Sequence, residues 1–411
     1  MVETKFIQTD IGLIPQDWEV KEMLEIISEI SMGPFGSDIK VSNFVNKGVP
    51  VLNGYNISGI KLKERYSNFV TVEKAKSLKK AVAKRGDIVV THRGTIGQMA
   101  YIPEDSSFEE YVISQSQFRF STNKMVIYEF VVLFFHSDKG QNIILESKGH
   151  TGVPAIAQAT TTFKKFQIPI PPLSEQQAIS KILSDINIWI ESLEKLIFKK
   201  QLIKQGAMQK LLTPKKDWEV KLLGEVANFF KGNGLPKNSI NSNGNVKCIH
   251  YGELFRKHKE VINKITNKTF NFSSSFLSKV NDVLMPTSDV TPRGLATASC
   301  IKEEGVLIGG DILVIRFTKE IDGAYFSYFV SNNKEEILKL VSGSTVYHLY
   351  GSELSSLNFK YPKSKSEQSR IAKILFDMDV EIEALEQKLA KAKQVKQGLM
   401  QELLTGRIRL V

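Results

Sequence analysis

The sequence predicts an α+β chain of α/β type, with two globular domains built on twisted sheets and joined by two long helices. Three observations predict it. One long phrase is written twice, from Ser174 to Thr213 and from Ser366 to Thr405. A block of short apolar runs, broken by glycine and proline, precedes each copy. Near the head of each block stands the tetrapeptide Asp-Trp-Glu-Val, at Asp17 and at Asp217. Internal repetition decides architecture before any single motif does, and 411 residues suffice for two ordinary cores.

Within the blocks, VPVLNGY, DIVVTH and SQFRFS read as strands, and MVIYEFVVLFF and AYFSYFV as helical stretches. The blocks align loosely, but features recur in order. GDIVV at Gly86 matches NDVLM at Asn281, and Arg93 of HRGT is aligned with Arg293 of PRGL. KGHTGVPAIA at Lys148 matches SGSTVYHLYG at Ser342. A duplication kept to recognise two different things explains shared elements with divergent tips.

The repeated phrase reads as a helix. Pro171 and Pro172 stop a strand, Ser174 is the expected N-cap, and Gln177 stands at the capping-box position. Ser366 is the expected cap of the second copy. Pro214 ends the first helix, and Thr405-Gly406 ends the second. Ile186, Ile190, Leu193 and Ile197 form a narrow seam, repeated by Met378, Ile382, Leu385 and Leu389. The seam is expected to falter at Lys200 and Ala392. A helix of this length, roughly 57 Å at 1.5 Å per residue, needs a partner along it. The other copy is the obvious one, and antiparallel pairing puts the two blocks at opposite ends with pseudo-twofold symmetry. The expected boundaries are 1–172, 173–213, 214–365 and 366–411.

The double proline before Leu-Ser-Glu-Gln, the GDIVV element, the KQGxMQxLLT close and the duplication together resemble the DNA specificity subunit of type I restriction–modification systems. The resemblance covers nearly the whole chain; the second helix lacks the double proline, reading YPKSKSEQ. It implies two target recognition domains and an antiparallel coiled coil serving as spacer and docking surface. It implies as partners double-stranded DNA with a bipartite recognition sequence, two modification (methyltransferase) subunits and restriction (translocase/nuclease) subunits. Methyl transfer and cleavage would belong to those other subunits. Trp189, with Ile190, Ile197, Ile382 and Leu389, is the expected docking face.

The residues agree with a non-enzyme. The sequence has neither the phosphate loop GxxxxGK[ST] nor the GxGxxG fingerprint. PIPPL lacks the Asn and aromatic of a methyltransferase base clamp, and nothing calls for a cofactor. Cys248 and His250 lack the further ligands of a zinc set, and both cysteines are expected as free thiols. No apolar run approaches the ~18 residues of a membrane helix, and no signal peptide is legible, so the expected location is the cytoplasm. A stand-alone nuclease or methyltransferase, and a basic scaffold that binds acidic proteins, are the competing readings.

A formal net charge of +11 favours polyanions. Affinity for DNA comes from cations on phosphates and sequence choice from side chains on base edges. The loops are the expected reading surface. In the first block the candidates are Ser37, Lys40, Asn53, His92, Arg93, Thr95, Gln98, His150 and Thr151. Arg93 suits guanine, and Asn53 or Gln98 suits adenine. In the second block they are Lys231, Lys237, Ser288, Arg293, Ser344, Thr345 and His348. Two heads on a spacer predict two short, unlike half-sites roughly one to one-and-a-half duplex turns apart.

Overall fold

The computed structural model describes residues 5–147, 154–270 and 276–410. The chain divides into two compact units, residues 1–193 with 388–411, and residues 194–387. The first long helix spans Leu173–Leu212 and the second Lys365–Leu403. Each unit therefore holds the opening of one long helix and the close of the other. Among the described residues no helix is long and apolar enough to cross a membrane.

The first unit is built on an antiparallel sheet of β1 (Ile27–Met32), β2 (Ile88–Thr91), β3 (Met99–Tyr101) and β4 (Gln117–Thr122), in spatial order β3-β2-β4-β1. Side chains alternate between its faces. Ile88, Val90, Phe118 and Phe120 enter one core with Phe130, Phe134 and Phe163, while Val89 and Ala100 enter a second core with Leu52 and Tyr111. A strand covered on both faces has no polar side, which is why DIVV reads as an unbroken apolar run.

The second unit repeats the plan with β5 (Ala227–Lys231), β6 (Val261–Ile262), β7 (Val283–Pro286), β8 (Ser299–Ile301) and β9 (Ile312–Phe317), in order β5-β9-β7-β8-β6. Val283, Met285, Leu313 and Ile315 face one core, and Leu284, Ile312 and Val314 the other. Here β6 and β8 run parallel, so the sheet is mixed.

The recurring strand starts share a mechanism. Gly86 (φ +81°) and Asn281 (φ +78°) both take the left-handed conformation, which glycine and asparagine tolerate best. The aspartate that follows caps the turn: Asp87 accepts from Lys84 N at 2.9 Å and Asp282 from Lys279 N at 2.8 Å. Asp87 is also paired with Arg119 at 3.3 Å, and Asp282 with Arg316 at 2.7 Å. The Asp-Trp-Glu-Val echo forms the strand that brackets each unit: Glu19–Glu22 pairs with Gln167–Ile170, and Glu219–Leu222 with Asn358–Tyr361.

The helix starts correct the capping expectation. Ser174 and Ser366 lie inside their helices, which begin at Leu173 and Lys365. Pro172 O already accepts from Glu175 N and Gln176 N, at 2.9 and 3.0 Å. The glutamine with a structural task is the one in Ser-Glu-Gln. Gln176 accepts from Ile127 N (2.9 Å) and donates to Pro171 O (2.8 Å) and Met125 O (3.2 Å). Gln368 accepts from Asp322 N (2.9 Å) and donates to Pro362 O (2.9 Å) and Glu320 O (3.2 Å). Each ties a long helix to the first turn of its unit's own aromatic helix, Tyr128–His136 or Gly323–Asn332. Both side chains are fully buried, so Gln368→Ala is expected to cost about 1–3 kcal/mol. Denaturant unfolding of the second unit checks this; an unchanged midpoint would refute the tie.

The two positions where the seam is expected to falter differ. Ala392 is fully buried, and Lys200 is ion-paired with Glu381 at 2.6 Å. In the second unit Lys204 meets Asp379 at 2.6 Å. The ascending numbers 200 and 204 facing the descending 381 and 379 set the two helix segments antiparallel there. Thr405-Gly406 closes the second helix as expected, with Gly406 at φ +70°; a Cβ there would lie 2.3 Å from Pro15 Cγ.

Candidate nucleic-acid interface

In the first unit β2 runs directly into a set of converging loops. His92 N donates to Ser116 O and His92 O accepts from Ile156 N, both at 2.9 Å. Arg93 forms an antiparallel bridge with Ala155, and Gly94 N donates to Pro154 O at 2.9 Å. Residues 92–94 are thus zipped to 154–156. Gly94 (φ +89°) and Gly97 (φ +82°) let the chain fold back, and Thr91 N closes the loop on Gln98 O at 2.8 Å. Arg93 and Thr95 are exposed. The Arg93 side chain makes no hydrogen bond or ion pair among the described residues, which leaves its guanidinium fork available.

The turn at residues 33–38 packs on the same loops. Gly33 N donates to Gln117 O at 2.8 Å, and a Cβ on Gly33 would meet Ser114 O at 2.0 Å. That close approach displays Ser37, Lys40 and Phe35, the last 81% exposed. His92 lies 3.3 Å from Gln115 O, and burial holds its imidazole below the usual value, so it is neutral near pH 7. Gln98 is engaged by Thr95 Oγ1 at 3.0 Å. Asn53 spends its carbonyl oxygen on Tyr55 N at 2.9 Å, leaving its amide hydrogens for a partner. His150 and Thr151 lie outside the described residues.

Sequence reasoning missed the segment that follows Asn53. Buried Asn56 donates to Lys63 O and Arg65 O, at 2.8 and 3.0 Å. This sets Lys63 Nζ 5.5 Å and Arg65 Cζ 5.9 Å from the exposed Tyr55 ring. An aromatic flanked by two cations suits a phosphate–sugar strand. The signal was present in NGYN and KLKER as a turn followed by alternating cations.

In the second unit β7 reaches the corresponding place. Thr287 O accepts from Leu349 N at 3.1 Å, as His92 O accepts from Ile156 N. Ser288 pairs with His348, and Asp289 with Tyr347. Tyr347–His348 also pairs with Ser342–Gly343, making a hairpin whose exposed turn carries Ser344 and Thr345. His348 stacks on Tyr350 with centroids 5.6 Å apart and planes at 6°. Lys231, Thr287 and Tyr350 line an open groove of about 720 Å³. Lys231 lies 3.9 Å from Asp311, and Lys237 sits in a short 3-10 turn.

This geometry corrects the alignment of Arg93 with Arg293. The residue beyond β7 that corresponds to Arg93 is Ser288, which pairs with His348. Arg293 lies five residues further on, inside the one-turn helix Pro292–Leu295. The shared Arg-Gly dipeptide is a β-bridge residue followed by a left-handed glycine in one unit and helical in the other. Just before that helix Asp289 accepts from Val290 N and Thr291 Oγ1, both at 2.7 Å, and Pro292 stands at the first helical position. Equivalent tips therefore carry Arg93 opposite Ala155 in one unit and Ser288 opposite His348 in the other.

The expected docking residues separate by burial. Ile190, Ile197 and Ile382 are buried and Leu389 is half-buried. Trp189 remains 48% exposed.

A duplicated α/β chain whose two equivalent strand ends carry different polar tips is the class of molecule this geometry defines. The family model of the type I restriction modification DNA specificity domain matches the chain twice, over residues 15–201 and 215–394. The chain belongs to that family. It is 28% identical to a putative type I restriction enzyme MjaX specificity subunit of Methanocaldococcus jannaschii, covering 99% of this chain and 97% of the relative. It is 24% identical to the type I restriction enzyme MjaVIII specificity subunit of the same organism, over 97% and 94% of the two chains. Its fold is similar to that of the S subunit of a type I restriction–modification system from M. genitalium (TM-score 0.62, 16% identity, 94% of this chain and 96% of that one).

Proposed function

We propose that the chain is the non-catalytic, sequence-reading subunit of a cytoplasmic type I restriction–modification complex. Residues 1–172 and 214–365 each read one half of a bipartite duplex target. Residues 173–213 and 366–411 pair as an antiparallel coiled-coil spacer. Two modification subunits dock on the helices, and restriction (translocase/nuclease) subunits complete the complex. The observation that carries this reading is the pair of equivalent strand ends with unlike side chains, Arg93 with Ala155 and Ser288 with His348. Two copies of one scaffold with different donors and acceptors at one position are what two unlike half-sites require. The net charge of +11 supplies the sequence-independent attraction.

Selection of bound sequences from a random duplex library, using the chain with a co-expressed modification subunit, tests it. Two unlike short motifs at fixed separation are expected, and exchanging residues 1–172 should change one motif only. Adding one helical turn to both long helices should lengthen the spacer and leave both motifs intact. Arg93→Ala should relax one position of one motif, by about 1–3 kcal/mol. Recovery of a single motif, or of none above a salt-sensitive background, would refute the reading.

A further inference from the structure

The internal repeat supplies its own control for one lysine. In the second unit Lys204 Nζ is neutralised by Asp379 at 2.6 Å, with Glu260 at 3.7 Å and the Tyr328 ring beneath it at 5.5 Å. In the aligned phrases Lys204 corresponds to Lys396 and Asp379 to Asn187. A second cross-helix ion pair of that unit, Lys200 with Glu381, corresponds to Ala392 and Trp189. The first unit has kept the lysine and replaced both carboxylates with uncharged residues.

Lys396 makes no hydrogen bond or ion pair among the described residues, and neither does Lys139. Both line a cleft of about 630 Å³ in the first unit. Lys393 and Arg407 line it too, the latter 3.6 Å from Glu402. Asp138 is the carboxylate on its wall. Its apolar lining comes from Phe134, Ile190, Met400 and Leu404. Burial holds the Lys139 and Lys396 ammonium groups below the usual lysine value; Arg407 adds to this at Lys139, and Glu191 opposes it at Lys396. Half-buried cations without a direct ion-pair partner are costly, and an anion from outside the chain removes the cost.

We propose that this cleft docks an acidic segment of a partner protein. One carboxylate of that segment meets Lys396 and Lys139 as Asp379 meets Lys204, and an apolar side chain packs on Phe134, Met400 and Leu404. The second unit shows which chemistry satisfies this lysine, and it is a carboxylate. The apolar lining suits a peptide anchor, and half-exposed Trp189, next to the lining residue Ile190, extends the surface. The proposal rests on the reading that modification subunits dock on this chain. It adds that the two docking sites differ, the first being charge-dependent.

The test uses the full chain with its co-expressed modification subunit, measuring affinity and stoichiometry by calorimetry at two salt concentrations. Lys139→Gln with Lys396→Gln should weaken one of two binding events by about thirtyfold or more. Asn187→Asp, which restores the internal carboxylate, should weaken the same event by about tenfold without unfolding the chain. Normal binding by both variants would overturn the proposal and leave the docking reading standing. No binding by the wild-type chain would overturn the docking reading and this proposal together. Inorganic phosphate and ATP serve as competing probes. If either binds in a Lys396-dependent way while partner affinity is unchanged in the variants, the cleft is a small-anion site and the proposal is wrong.

Discussion

Arg409→Ala is expected to destabilise the first unit by about 3–5 kcal/mol and leave the second unit unchanged. Glu175 is fully buried. It accepts from Trp18 Nε1 at 2.9 Å, from Arg409 Nε and Nη2 at 2.8 Å each, and from Leu410 N at 3.2 Å. Arg409 also grips Asp17 with two bonds of 2.9 and 2.6 Å, and this draws the Asp17 carboxyl below its usual range. Asp17 is more than half exposed, so that second pair contributes little. The cost comes from leaving Glu175 charged in the interior. The site has a topological reason. In the second unit the chain runs covalently from Leu212 to Trp218, whereas in the first the corresponding junction, Leu404 to Trp18, is closed by Arg409. Urea unfolding followed through the environment of Trp18 checks the prediction. Arg409→Ala combined with Glu175→Gln should recover part of the loss, because a neutral amide still accepts from Trp18. A single variant as stable as the wild type would show that the C-terminal tail is a passive surface segment.

Asp379→Ala should cost a similar ~3–5 kcal/mol, this time in the second unit. Asp379 takes a proton donor on each oxygen: Lys204 Nζ at 2.6 Å and Tyr328 Oη at 2.7 Å. Lys204 is 15% and Asp379 9% exposed at the side chain, so removing the carboxylate leaves a buried hydroxyl without its acceptor and a buried ammonium with only the more distant Glu260, at 3.7 Å. Burial and the neighbouring Asp379 charge push the Tyr328 hydroxyl far above its usual value, so it stays a donor. Replacing the pair together, Lys204→Met with Asp379→Leu, should recover most of the loss, since apolar replacements of buried ion pairs are often near neutral. Unfolding monitored by hydrogen exchange resolves the two units. If the double variant were no better than the single one, the loss would come from packing around Asp379 and not from the stranded charge.

The sequence by itself determined what is periodic or local. The duplication, the two long helices, the strand at Ile88 and the Gly406 stop all follow from spacing and backbone preference. The same holds for the residues at strand ends: Arg93, Ser288 and His348 were legible as loop residues because turn chemistry surrounds them.

The tertiary structure alone decided what depends on contacts between distant residues. It matched Arg93 with Ser288 and not with Arg293, because a hydrogen-bonded bridge fixes register and a shared dipeptide does not. The task of the Ser-Glu-Gln glutamine became visible only from its carbonyl partners 51 and 48 residues away in sequence. Burial distinguished Ile190, Ile197 and Ile382, which the fold covers, from half-exposed Trp189 beside them. It also separated two lysines that the repeat writes identically. Lys204 faces a carboxylate, and the aligned phrase gives Lys396 an asparagine in its place. A side chain's charge is written in the sequence, but whether that charge is compensated depends on which distant residue the fold sets beside it.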